Sequence, residues 1–178
     1  DGTVYAFFGG IWGGQLQWYD NNKMLKDEHL PEGKEPALPP RVVRMTDDML
    51  QFAEPPRAVE IVDANGQPLT ADNPYRFFEA SWMHKYNGRY YFSYSTGDTH
   101  YLCYAIGDNP YGPFTFQGVI LDPVVGWTTH HSILEYKGQW YLFHHDCVPS
   151  NGTTWLRSLK VMPLHYDSTG HILRMKSE

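Results

Sequence analysis

The chain has 178 residues, 42% of them hydrophobic and 19% charged, a balance that excludes intrinsic disorder and leaves room for one domain with a sizeable core. Its net charge of −6 comes without any Lys/Arg cluster, so nucleic acid is not an expected partner, and no apolar run approaches the ~18 residues of a membrane span. Aromatic residues make up 16% of the chain, beside 16 Gly and 13 Pro; strand-favouring rings among many turn formers predict a β-protein with tight turns.

The sequence opens at Asp1 without Met or a signal-peptide pattern and runs straight into strand-like residues, Gly2 to Phe7, so its start reads as a cut. Trp12 follows, flanked by Gly9-Gly10 and Gly13-Gly14, as in a loop that presents an aromatic ring to a sugar or to a neighbouring sheet. The turn-forming run Asp20-Asn21-Asn22 and the Pro-rich stretch from Pro31 to Pro40 predict a long loop. Short strands are expected at Arg41 to Met45 and Ala58 to Val62, with a short helical segment over Thr46 to Phe52 and a turn at Asn65-Gly66.

An internal repeat dominates the remainder. His84-Lys85-Tyr86-Asn87-Gly88-Arg89-Tyr90-Tyr91-Phe92 aligns with Leu134-Glu135-Tyr136-Lys137-Gly138-Gln139-Trp140-Tyr141-Leu142 at a constant offset of 50 residues. Gly2 and Tyr5 begin a fainter copy. Each copy reads as a hairpin whose Asn-Gly or Lys-Gly turn uses the positive φ that glycine tolerates. Further strands are expected at Tyr101 to Ile106, Phe114 to Leu121, Trp155 to Val161 and around His165-Tyr166. Four strands in one repeat is the size of a β-propeller blade, and at ~50 residues per blade the chain supplies about three and a half blades. The alternative is another all-β fold with a chance internal similarity. An incomplete ring exposes sheet faces, so a complementary segment or self-association is expected to cover them.

Several side chains stand out as candidates for chemistry. Glu79 lies in Arg76-Phe77-Phe78-Glu79-Ala80-Ser81-Trp82, where aromatic neighbours strip water from a carboxyl group and favour its protonated form, as a general acid for glycosidic cleavage requires. The plainer reading is a salt bridge to Arg76. His130 and His131 sit at the corresponding place one repeat later, so Glu79 and His130 are expected to share a site; a histidine there binds a sugar or a metal, or simply bonds to backbone. His144 and His145 are adjacent on a strand and point to opposite faces, which argues against a shared zinc. Arg157 in Trp155-Leu156-Arg157-Ser158 is expected within a strand, paired with a carboxylate or a ligand hydroxyl. Asp98 reads as a turn residue. Cys103 and Cys147 are too few for a disulfide framework, and either one bridge or two free thiols fits.

With these residues in place the sequence resembles glycoside hydrolase family 43, five-bladed propeller enzymes that act on xylans and arabinans. The resemblance rests on Phe77 to Trp82 followed by Tyr90 to Ser95, on Asn109-Pro110-Tyr111-Gly112-Pro113-Phe114, on Thr129 to Ile133 with Trp140 to Asp146, and on Leu156-Arg157-Ser158. It covers essentially the whole chain and implies that residues 1–178 form the C-terminal portion of a propeller catalytic domain. It further implies that Glu79 is the general acid, that His130 lies near a calcium ion reached mostly through waters, and that Arg157 binds the terminal sugar. Trp12, Phe78 and His131 are further sugar-binding candidates. No organic cofactor is implied. The substrate class implied is a xylo- or arabino-oligosaccharide, cleaved with inversion by a β-xylosidase or α-L-arabinofuranosidase. Asp1-Gly2 resembles the tail of the family's Asp-Asp-Gly turn, which places the general-base Asp and a second, acid-tuning Asp before residue 1. The chain alone is then expected to be inactive; the competing reading is a non-catalytic carbohydrate-binding fragment.

Overall fold

A computed structural model describes residues 2–177; Asp1, and with it the expectation placed on the Asp1-Gly2 turn, lies outside the described residues. The architecture is all-β, apart from single-turn 3₁₀ segments at Leu16–Trp18 and Val148–Ser150. Among the described residues no helix is long and apolar enough to cross a membrane. The strands are β1 (Tyr5–Phe8), β2 (Tyr19–Asp20), β3 (Lys23–Met24), β4 (Arg41–Arg44), β5 (Arg57–Ala58), β6 (Ile61–Val62), β7 (Phe77–Tyr86), β8 (Arg89–Thr96), β9 (Leu102–Gly107), β10 (Phe114–Leu121), β11 (His131–Tyr136), β12 (Gln139–Asp146) and β13 (Ser158–Leu164).

Three sheets carry the fold: β1-β4-β5, then β6-β10-β9-β8-β7, then β11-β12-β13, with β2-β3 as a separate ribbon. Strands β7 to β10 form an antiparallel meander, and β6 adds to β10 in parallel. The repeat is structural. Its two hairpin turns fall on Asn87-Gly88 and Lys137-Gly138, all four residues at positive φ, the geometry that matches the twist of paired strands.

The middle sheet is buried on both faces. Phe92, Tyr94, Cys103, Ala105 and Phe114 join a core with Val42, Val59 and Leu16 of the first sheet and its flanking segments. Tyr91, Leu102, Tyr104, Ile106 and Ile120 join a second core with Ile133, Leu142 and Leu164 of the third. Because side chains alternate across a strand, this two-sided burial is why β8 and β9 read as almost continuous apolar and aromatic runs. Leading strand β7 lies against both β1 and β11. Sheets stacked face to face in this way are the blades of a β-propeller.

Some local expectations change. Thr46 to Phe52 is not helical: Met45 and Phe52 form an antiparallel bridge, and Thr46 N–H donates to the Gln51 carbonyl at 2.9 Å, closing a tight loop with Met49 at positive φ. The stretch Ala58 to Val62 is two strands, because the chain leaves the first sheet after Ala58 and joins the second at Ile61. The last strand begins at Ser158; Trp155 to Arg157 lie in the preceding turn, since Ser150 and Thr153 hold that segment through bonds to Leu156. Cys103 and Cys147 are free and buried.

His84 on β7 sits in the second core. Its ring stacks on Tyr91 at 5.0 Å, and its Nε2 meets the Tyr166 hydroxyl at 2.8 Å. Burial pushes its pKa down to about 3. An unfolded imidazole takes up a proton below about pH 6.5 while the folded one stays neutral, so stability is complete above that pH and falls by about 1.4 kcal/mol per unit as pH drops through the window. His84→Gln should therefore flatten the dependence of unfolding free energy on pH between about 4 and 6, as read by urea denaturation at several pH values; parallel slopes for variant and wild type would refute the assignment.

Candidate functional site

Glu79 stands near the start of β7, where the pairing with β8 is irregular. Phe77 opposes Thr96, Glu79 opposes Ser95 and Trp82 opposes Ser93, with register shifts on both sides of Glu79. Ala80 adopts φ 62° at this point. Bulges of this kind re-aim a side chain out of the pleat. The carboxyl consequently reaches His130, whose Nε2 is 3.5 Å from its Oε1. The Glu79 side chain keeps 24% of its surface and the His130 side chain 56%, so the pair opens to solvent. The strong desolvation expected of Glu79 is thus only partial. The alternative salt bridge to Arg76 is absent; Arg76 Nε donates to the Ala71 carbonyl at 2.8 Å instead.

His130 is located by the segments around it. Ser95, on β8, donates its hydroxyl to the Thr129 carbonyl. The Thr129 hydroxyl donates to the His145 carbonyl at 2.8 Å and accepts from His145 N–H at 3.0 Å. His130 N–H points at His145 Nδ1 at 3.4 Å, and the two imidazoles lie 6.3 Å apart, nearly parallel. His145 therefore belongs to the Glu79–His130 group. Burial lowers its pKa, and the cationic Arg157 and the neighbouring His130 lower it further.

The remaining sequence candidates fall in different places. His131 turns away from Glu79, as alternation demands: its Nε2 meets the Ser93 hydroxyl at 2.6 Å, and burial, reinforced by His130, His84 and His144, pushes it down to about 3. It braces the second sheet against the third. Arg157 is exposed in the turn before β13, its Nε donating to the Thr154 carbonyl at 3.1 Å; it is neither within a strand nor paired with a carboxylate among the described residues. Phe78 is buried and forms a wall, with Trp12 edge-on to it at 5.6 Å. Trp12 is 53% exposed, so it both packs on the neighbouring sheet and presents a ring. Its loop is tightly specified. Trp12 N–H donates to Oε1 of buried Gln17 at 3.0 Å, Ile11 N–H donates to the Phe78 carbonyl at 2.9 Å, and any Cβ on Gly14 would collide with the Gly10 backbone.

His145, Ser93 and Ser95 were missed as parts of this site. A signal existed in Phe92-Ser93-Tyr94-Ser95: serine at alternate positions of an otherwise aromatic strand, aimed at the next sheet.

With this geometry in view, comparison with known proteins identifies the family. No family model matches the chain. A β-xylosidase of Xylanibacter ruminicola is 78% identical over 99% of the chain and 55% of its own length. A xylosidase/arabinosidase of Bacteroides ovatus is 69% identical over the whole chain and 55% of its own length. The chain belongs to glycoside hydrolase family 43. It spans about half the length of the curated relatives it matches. Among solved structures, RS223 β-xylosidase superposes with a TM-score of 0.97 at 67% identity, over 98% of this chain and 55% of that one. A GH43_1 enzyme from Xanthomonas citri, complexed with xylotriose, superposes at 0.95 with 55% identity, over 98% and 53%. CoXyl43, a family 43 β-xylosidase/α-arabinofuranosidase from a compost metagenome, was solved with xylotriose in a calcium-free form; it gives 0.93 and 53% identity over 98% and 54%.

The residues of this family 43 chain do not compose a direct calcium shell. Among the described residues no three His, Cys, Asp or Glu side chains converge, and calcium prefers six to eight oxygen ligands over an imidazole nitrogen.

The bond from Ser95 to Thr129 ties β8 to the segment carrying His130, and both residues are buried. Ser95→Ala leaves the Thr129 carbonyl without this donor. The expected cost is about 1–3 kcal/mol, measured as a fall in the denaturant midpoint; an unchanged midpoint would show that the bond does not anchor the segment.

Proposed function

We propose that the protein carrying this chain is a glycosidase that releases terminal pentose from xylan-type oligosaccharides, as a β-xylosidase or α-L-arabinofuranosidase, with Glu79 as general acid. The observation that carries this reading is the Glu79–His130 pair, bulged out of β7 and open to solvent beside an exposed tryptophan. The relatives support it, since those with 69–78% identity bear xylosidase or arabinosidase names.

In this reading the protonated Glu79 carboxyl donates to the glycosidic oxygen as the bond to the anomeric carbon breaks. His130, 3.5 Å away, orients that carboxyl. Arg157 and His145 flank the terminal sugar, and Trp12 offers its ring to the leaving side. Inversion needs a second carboxylate about 6.5–9.5 Å from the acid, with water between. We assign that base to polypeptide outside these residues, in keeping with relatives that are nearly twice as long.

The test separates leaving groups. In the full-length protein, Glu79→Gln should lower kcat on xylobiose by about 10²–10⁴-fold. A dinitrophenyl xyloside, whose leaving group departs without a proton, should lose far less, and the alkaline limb of the pH profile should disappear. Equal losses on both substrates would remove Glu79 from the acid role.

A further inference from the structure

We propose that His144, Asp146 and Lys160 form a second, non-catalytic binding site, on the face of β12 opposite His145, for a small neutral polyol of pentose size. Its residues lie outside the acid–histidine pair, so the site stands or falls independently of the glycosidase reading.

Strand alternation creates the site. His145 turns toward His130 on one face of β12, so His144 and Asp146 turn to the other. Across the ladder His144 stands opposite Lys160 of β13, and Asp146 stands opposite Ser158. Directly paired residues share a face, which brings an imidazole, a carboxylate and an ammonium together. A cavity of about 230 Å³ opens there, with Met162 and Pro163 on its apolar side and Ser177 of the chain's tail at its border. His144 is the residue that calls for a ligand. It is 4% exposed, its Nδ1 is buried without a hydrogen bond, and its Nε2 makes none among the described residues. Leaving a buried polar group unpaired is costly, and folded proteins normally provide it with a partner. The neighbouring side chains do not. Asp146 Oδ1 accepts from the Ser158 hydroxyl at 2.9 Å and from Val148 N–H at 3.2 Å, while its Oδ2 lies 3.5 Å from Lys160 Nζ. Ser177 donates its hydroxyl to the Pro123 carbonyl at 2.6 Å.

Charge selects the ligand. The Lys160 ammonium and the Asp146 carboxylate offset each other, so the pocket favours neither sign. A divalent cation would meet the ammonium, and among the described residues no three His, Cys, Asp or Glu side chains converge. An anion would meet the carboxylate. Burial lowers the His144 pKa, and the neutral ring then carries one N–H donor and one accepting nitrogen. Lys160 adds donors and Asp146 Oδ2 adds an acceptor. Hydroxyl groups both donate and accept, so the vicinal hydroxyls of a polyol satisfy this mixed set while its C–H surface rests on Met162 and Pro163. A few placed polar groups beside apolar ones is the usual composition of a small-molecule site. The cavity is smaller than the ~300 Å³ at which drug-sized pockets begin, which favours a single sugar ring over an oligosaccharide.

The experiment titrates D-xylose into the full-length protein by calorimetry, with inorganic phosphate and Mn²⁺ as rival probes. Wild type should show a xylose site that His144→Phe abolishes. Lys160→Met, a change at a side chain that is 40% exposed, should weaken the same site about tenfold or more, the scale of one lost hydrogen bond to a charged group, and guards against a folding defect in the His144 variant. Both variants should keep kcat/KM for nitrophenyl xyloside within about twofold of wild type. Xylose binding that is absent, or unchanged by both substitutions, would overturn the site. So would phosphate or Mn²⁺ binding there in place of xylose, or a loss of kcat/KM in step with the loss of xylose binding, which would put that xylose beside Glu79. An inactive wild type that still binds xylose through His144 would sink the glycosidase reading alone.

Discussion

Along β8, Tyr91 enters one core while Phe92 and Tyr94 enter the other, and Ser93 and Ser95 take the gaps between the rings. That alternation constrains the whole molecule. With both faces of the middle sheet buried, a slip of one residue would exchange every aromatic between cores and push the serines out of reach of the third sheet. The register of β7 on β8 and the approach of β11 to both follow from it. Trp82 Nε1 donates to the Ile133 carbonyl at 3.0 Å, and Ser93 meets His131 at 2.6 Å, so the sheets are stitched by polar groups at the rim of an otherwise apolar interface.

The chemistry sits where that regularity is broken. Bulges around Glu79 and the positive φ of Ala80 interrupt the ladder just where β7 meets the neighbouring sheets. A non-glycine residue at positive φ costs of order 1 kcal/mol and persists only when its surroundings over-determine it. Here the pairing on either side and the Trp82 bond supply that constraint. The outcome is a carboxyl lifted beside an imidazole from the next sheet, with the Trp12 loop pressed against the opposite side. Two neighbouring imidazoles illustrate how burial sorts roles: His131, inward and bonded to Ser93, is held neutral, whereas His130 next to it stays open and faces the acid.

Much of this was legible in the sequence. The 50-residue repeat marked the hairpins, because glycine at a turn and paired aromatics are local requirements that every copy must meet. The pairing of Glu79 with His130 was legible for the same reason: equivalent positions in adjacent repeats become neighbours once the repeats stack. Arg157 was misplaced by three residues of turn, since an apolar stretch reads alike in a strand or in an exposed loop. Thr46 to Phe52 looked helical, yet a single antiparallel bridge closes it, and such a bridge has no periodicity to reveal it.

By itself, then, the sequence determined the all-β class, the repeat with its hairpin turns and the family. All of these depend on side-chain alternation and backbone preference over short spans. The tertiary structure alone decided which of two adjacent histidines faces the acid, that Ala58 and Ile61 belong to different sheets, and that Arg76 bonds to the Ala71 carbonyl rather than pairing with Glu79. Those outcomes turn on the direction of single side chains at bulges and strand ends, where neighbours distant in sequence set the geometry and no local pattern records it.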